Sequence, residues 1–537
     1  MWEKLNRNNY LSLLLTIILG IFICAGIIFI TRFDILTGDD LDQVFFNYDF
    51  KQTFLRSDHG SILSWFMIKI VGSFIPLYFG VHCNDNTLGL IIRSANVSLY
   101  IFLLSYFASL LNKNKQNMPA WYMLVFLFFI NYFCNNSYCD STFIYEYSQN
   151  FRCIFMGLFY WLFWLIFILK YLNLIKLDKK LLIAYSIISF FVGCSMELFL
   201  FSTFYSLLLF SAINLFSIFK MSGYKFKAIK ERVAKIKGIE LIPYISFVLG
   251  SILTLSNPGF WQVAETERNT ISNLFALDCF KNAVFNYTKI WFDKFFLESP
   301  NNILLLMLIA LSLIIFVLGK KSNRIKYSYK VIFISWVLVF GCGIFYLSLI
   351  FPTSNKGEAL IWLSSHRVTL FVENVYMAAN LLLAGFVFKL IYKNKNLEKA
   401  LSSIFIVLVL LLSVKELSVS KDKISHFMNY EKEKRTYFYK IEKMILFYIG
   451  KGEDIILPLS IIKYDKDITF QFVAFWCNDT GLYEVYLPGI YKIHDFEKIK
   501  LIEDSKAWAK FYEEGGTFDK SELTNPSFTR LLKEYKK

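Results

Sequence analysis

Residues 181–219 read LLIAYSIISFFVGCSMELFLFSTFYSLLLFSAINLFSIF, a run with a single charged side chain, Glu197, bounded by Lys179 and Lys180 before it and Lys220 after it. A bilayer core takes about 20 mostly apolar residues as helix, so the run is long enough to cross twice. Basic residues at both ends and one acid near the middle describe a helical hairpin that turns on the far side of the membrane. An unpaired carboxylate within lipid is costly. Glu197 therefore belongs at the turn, either as a buried hydrogen-bonding hinge or as a participant in chemistry there.

The rest of the chain repeats this pattern. Of 537 residues, 56% are hydrophobic and 19% aromatic, with 58 phenylalanines in long apolar blocks. A soluble chain of this length has no interior large enough to hide them. Helices are expected at about residues 10–31, 88–111, 119–134, 151–174, 181–197, 198–219, 239–255, 301–319, 330–351, 367–391 and 399–415, about eleven crossings in all.

The charge pattern sets the orientation. The net charge of +15 comes from short basic segments between apolar blocks. Lys4 and Arg7 precede the first helix, and Lys113 with Lys115 follow the second. Later basic segments are Lys176 to Lys180, Lys220 to Lys237, Lys320 to Lys326 and Lys393 to Lys399. All fall on one side, the positive-inside arrangement of a membrane protein and not the footprint of a nucleic-acid binder. The N-terminus is then cytoplasmic and the C-terminus extracytoplasmic, with outer loops 32–87 and 256–300. Ile62 to Phe79 is apolar enough to span, but a crossing there would invert every later basic loop. It reads as a re-entrant or interfacial helix, consistent with Lys69 in its middle and Pro76 near its end. Tyr10 to Thr31 exceeds a signal-peptide core, lacks a clear cleavage site and reads as a retained first helix.

The nine cysteines show no metal-ligand spacing. Cys134 and Cys139 fall outside the cytoplasm, as a disulfide or as two free thiols. Residues 1–415 form the membrane domain. Residues 416–537 change composition, with alternating segments Ile455 to Leu459 and Leu482 to Leu487, and read as a small extracytoplasmic α+β domain.

The residues suited to chemistry cluster at outer helix ends. Gly38-Asp39-Asp40-Leu41-Asp42 sets three carboxylates just beyond helix one, where a helix cap needs only one. Ser57-Asp58-His59-Gly60 offers a further acid and an imidazole, or a solvated turn. Ser256-Asn257-Pro258-Gly259-Phe260 carries strong turn chemistry, followed by Glu265, Glu267 and Arg268. Arg93, Arg152, Arg268 and His366-Arg367 also fall at outer helix ends, where guanidinium groups suit phosphate oxygens or snorkel to headgroups. The carboxylates suit Mg²⁺ or Mn²⁺, although no spacing demands a metal.

This pattern resembles the GT-C superfamily of membrane glycosyltransferases, which use polyprenyl-phosphate-linked sugars, and within it an uncharacterised bacterial branch. The resemblance is carried by Asp39-Asp40, Gly193 and Glu197, Asn257-Pro258-Gly259 with Arg268, and His366-Arg367. Ser505 to Tyr512 is similar to that branch's C-terminal Asn-x-x-x-Ala-x-Tyr-Tyr. The chain departs from the branch at His59-Gly60-Ser61, where Gly-Arg is usual, and at Phe260, where Asn is usual.

The resemblance implies an inverting transfer of sugar from a polyprenyl-phosphate donor to a glycan or lipid acceptor at the outer face of a bacterial inner membrane. In that reading Asp39 or Asp40 is the general base. Asp42, His59, Arg152, Glu197, Arg268, His366 and Arg367 bind substrate or phosphate, with Arg268 and Arg367 neutralising the leaving phosphate. A lipid-linked glycan transporter or flippase, or a glycan polymerase, is the alternative; a transporter would carry its polar residues inside the helices near the midplane. Trp476, Tyr483, Tyr486 and Tyr491 are candidates for stacking on sugars or for core packing.

Overall fold

The computed structural model describes residues 87–109, 154–221, 238–257, 325–353, 439–461 and 493–518, with individual helical positions within 14–29, 309–317, 371–383 and 407–437. The described chain is mostly helical. Its apolar helices are α1 (Thr87–Ser109), α2 (Met156–Tyr171), α3 (Lys179–Gly193), α4 (Glu197–Met221), α5 (Ile242–Leu255) and α6 (Ile325–Thr353). Two helical stretches, Leu198–Lys220 and Gly238–Leu255, are long and apolar enough to cross a membrane; Ile91–Leu104, Met156–Tyr171 and Tyr329–Gly343 are shorter apolar helices.

Local chemistry explains where these helices stop and start. At the end of α2, Asn173 adopts a left-handed conformation, φ 57°. Its N–H donates to the Lys170 carbonyl and that of Leu174 to the Leu169 carbonyl, a Schellman closure that satisfies two of the last carbonyls. Asp178 then caps α3, its carboxylate accepting the Leu181 N–H at 2.8 Å. The expected boundary between the hairpin helices falls at 197/198, whereas α3 stops at Gly193 and Glu197 already opens α4. The break comes earlier because the Ser195 hydroxyl donates to the Val192 carbonyl at 2.5 Å. The Met196 carbonyl then receives the Phe199 and Leu200 N–H groups and starts the next helix.

Ring contacts give the relative helix directions. Phe159 meets Phe191 at 4.9 Å and Phe163 meets Tyr185 at 5.3 Å, so α2 and α3 run antiparallel. Tyr160 meets Phe199 at 5.6 Å and Phe167 meets Phe210 at 5.0 Å, so α2 and α4 run the same way. Gly341 lies against Ser206 and Phe333 lies 5.6 Å from Phe210, which makes α6 antiparallel to α4. Helix α5 packs along α3 in the same direction, with Tyr244 beside Tyr185 toward one end and Thr254 against Gly193 toward the other. One end of the bundle therefore gathers the α3–α4 turn, the start of α2 and the end of α5; it is called the hinge end. The opposite end carries Lys170, Lys179, Lys220 and Lys330 and is called the lysine end.

The core is aromatic. Trp161, Trp164, Tyr160 and Phe107 are fully buried, and the Phe107 and Trp161 rings meet at 5.0 Å. Large apolar side chains stay exposed along the outside, including Ile183 and Ile187 on α3, Leu208 and Phe216 on α4, and Ile245, Val248 and Ile252 on α5. Such an apolar belt is the surface a bilayer solvates.

In the C-terminal region a helix through 439–450 precedes strand β1 (Ile455–Pro458). Strand β2 (Ile499–Ile502) pairs parallel to it with Ile455 opposite Ile499, and α7 (Asp504–Glu513) follows. Ala507 and Phe511, one turn apart on α7, are buried, and Phe511 packs on Phe447 at 5.1 Å and Phe518 at 4.8 Å. Gly515, at φ 94°, and Gly516 close α7 in a second Schellman turn onto Tyr512 and Phe511. The expected alternating segment at 455–459 is this strand, while Leu482 to Leu487, the residues 62–79 and the Cys134/Cys139 pair lie outside the described residues.

Candidate functional site at the hinge end

The contact between α3 and α5 is the scaffold of the site. Gly193 and Gly250 let the two backbones touch: a β-carbon on Gly193 would collide with the Phe247 carbonyl, and one on Gly250 with the Phe190 carbonyl. Small residues at a helix crossing permit this approach. Thr254 donates its hydroxyl to the Gly193 carbonyl at 3.0 Å, and the Cys194 thiol donates to the Gly250 carbonyl at 3.7 Å. The α3–α4 turn is thereby tied to the end of α5, where Asn257 is fully buried and donates its backbone N–H to the Thr254 carbonyl. Two segments singled out separately in the sequence, Gly193 to Glu197 and the turn beginning at Asn257, are thus neighbours in space.

Buried polar side chains concentrate in this half of the bundle. On α1 they are Arg93, Ser94, Asn96 and Ser98, with the Arg93 guanidinium only 3% exposed in the second turn. On α4 they are Ser202, Thr203 and Ser206. The Tyr160 hydroxyl lies 3.4 Å from the Ser202 hydroxyl, which also meets the Cys342 thiol. Asn374 donates to the Tyr100 hydroxyl at 3.4 Å, joining the segment around 374 to α1. Among the described residues, the oxygens of Ser94, Thr203 and Ser206 and the Asn374 carbonyl oxygen are buried with no hydrogen-bond partner. Toward the lysine end the packing is instead ring on ring, through Phe167, Phe210 and Phe333.

Membrane interiors carry buried polar groups at a cost, and most are used or paired. Hydroxyls, an amide and a guanidinium together make a donor set suited to sugar hydroxyls and phosphate oxygens. Among the described residues, no group of three or more His, Cys, Asp or Glu is placed to hold a metal ion.

Of the expected site residues, Glu197 opens α4 at the hinge. Asp39, Asp40, Asp42, His59, Ser61, Arg152, Arg268, His366 and Arg367 lie outside the described residues, as do Trp476, Tyr483, Tyr486 and Tyr491. Arg93, expected at a helix end, lies in the second turn of α1 and is buried. The Tyr160, Ser202 and Asn374 cluster was not anticipated; the signal for it was the density of Ser and Thr at 202, 203 and 206 in an otherwise apolar helix. Ser505 to Tyr512 forms α7, where Ala507 and Phe511 are packing residues. Comparison with protein-family models, with curated proteins and with solved structures found no match to this chain.

Proposed function

We propose that this chain is a polytopic inverting glycosyltransferase of the GT-C type in a bacterial inner membrane, moving a sugar from a polyprenyl-phosphate carrier to a cell-surface glycan or lipid acceptor. The lysine end faces the cytoplasm and the hinge end the outside. About eleven helices cross, and the C-terminal domain is extracytoplasmic. The observation that supports this reading best is the gathering of buried hydroxyl, amide and guanidinium groups beneath the hinge end, where the end of α3 and the buried Asn257 at the end of α5 also meet.

In this reading Asp39 or Asp40 takes the proton of the acceptor hydroxyl as its oxygen attacks the anomeric carbon. The carbon–oxygen bond to the carrier phosphate breaks in the same displacement, inverting the anomeric centre. The departing phosphate keeps the bonding electrons, and Arg268 and Arg367 neutralise its charge. Asp42, His59, Arg152, Glu197 and His366 hold sugar and phosphate in place. Asp39→Asn and Asp40→Asn, compared with the parent for labelled-sugar transfer from membrane lipid pools, test the assignment.

One observation favours a second reading, a lipid-linked glycan transporter. Tyr160 and Ser202 are buried one turn inside α2 and α4, and polarity beneath the helix ends is also what a translocation path would carry. Carrier movement across vesicles without any glycosidic product would select that reading.

A further inference from the structure

The lysine end holds more positive charge than its own acids neutralise. Lys170 pairs with Glu240 at 3.1 Å, and Lys330 donates to the Tyr171 carbonyl at 3.1 Å. Lys176, Lys179, Lys180 and Lys220 are exposed, and none has an ion pair among the described residues. Lys179 and Lys180 also occupy the first turn of α3, which has no acid. Cations there oppose the helix dipole, which the Asp178 carboxylate at the N-cap offsets only in part. The linker 222–237, which lies outside the described residues, joins Met221 to Gly238 and carries six basic residues and the single acid Glu231.

What adjoins these lysines identifies the anion's source. Ile183 and Ile187 are exposed one and two turns along α3 from Lys179 and Lys180, and Phe216 is exposed one turn from Lys220. The charge therefore borders the apolar belt directly. A soluble polyanion would use the charge alone, whereas a phospholipid meets that border with both headgroup and chains.

We propose that the lysine end is a docking surface for anionic phospholipid headgroups of the adjoining leaflet, gripped by Lys176, Lys179, Lys180 and Lys220. This does not depend on the glycosyltransferase reading.

The test uses the full chain in micelles doped equally with phosphatidylglycerol and phosphatidylcholine, with bound lipid counted by native mass spectrometry. The parent should retain phosphatidylglycerol several-fold over phosphatidylcholine, and raising salt should erode that preference because exposed charge is screened. Replacing all four lysines by Gln should reduce the preference at least twofold. Equal retention of the two lipids by the parent, or an unchanged preference in the fourfold variant, overturns the proposal. So does displacement of the lipid by millimolar inorganic phosphate, which would mark a soluble-anion site. Should the fourfold variant fail to fold, the parent's salt dependence decides: a preference indifferent to salt also overturns it.

Discussion

Gly193 and Gly250 face one another across the α3–α5 crossing, each so close to the other helix's backbone that a β-carbon has no space. Because the obstacle is backbone carbonyl and not a flexible side chain, Gly193→Ala and Gly250→Ala should each destabilise the bundle. Overpacking of this kind costs about 1–3 kcal/mol. Thermal unfolding in detergent should show both losses, and the double variant should lose less than their sum, since one separation of the helices relieves both clashes.

Thr254 ties the same crossing together from its side chain. Thr254→Val keeps the shape and removes the bond to the Gly193 carbonyl. Interhelical bonds of this type are worth roughly 0.6 kcal/mol and at most about 2. Denaturation should register a loss in that range for the valine variant and little for Thr254→Ser.

The mostly helical character was legible because apolar blocks are long, redundant signals. The expected 181–197 and 198–219 pair corresponds to α3 and α4, misplaced by a few residues. Within Gly193 to Leu198 only a glycine, a serine and Glu197 mark the break, and the Ser195 and Met196 bonds that set its exact place are local geometry. Glu197 was placed at the turn by the cost of burying it. The Tyr160–Ser202 and Tyr100–Asn374 contacts were not legible, because lone hydroxyls in apolar helices look neutral until their partners, 42 and 274 residues away, are known. That distance in sequence is why the interior polar cluster escaped a reading built on loops and helix ends.

In the C-terminal region, Phe511 is the side chain on which α7 depends, with Phe447 and Phe518 on either side. Phe511→Ala should cost about 3–5 kcal/mol there. Proteolysis of the full chain should then cut around 500–518 first, while the apolar helices stay protected.

Two groups in that region predict opposite pH responses. Lys500, by hydrogen bond and charge, holds the Asp454 carboxyl below its usual value. A depressed acid contributes stability above its unfolded pKa of about 3.9 and loses it as pH falls through the lower folded value. Lys500→Met should flatten that part of the acid limb, modestly because both groups are exposed. Tyr448 is the reverse: burial first, then the charges of Glu514 and Glu453, push its phenol up to about 12. Its contribution is complete below about pH 10 and is lost as pH rises toward 12. Tyr448→Phe should remove that alkaline component, read as a change in the pH dependence of unfolding between those values.

The proposed chemistry lies at the outer face, so the most direct measurement is transfer of labelled sugar from the lipid-linked pool to surface glycan, with Asp39→Asn and Asp40→Asn at matched expression and insertion. The glycosyltransferase reading predicts that the parent transfers sugar and that at least one variant loses about 10²-fold or more, the scale of a general base. Full transfer by both variants would contradict the assignment of these carboxylates as the base, and no transfer by the parent, with carrier still moved across the membrane, would contradict the reading itself.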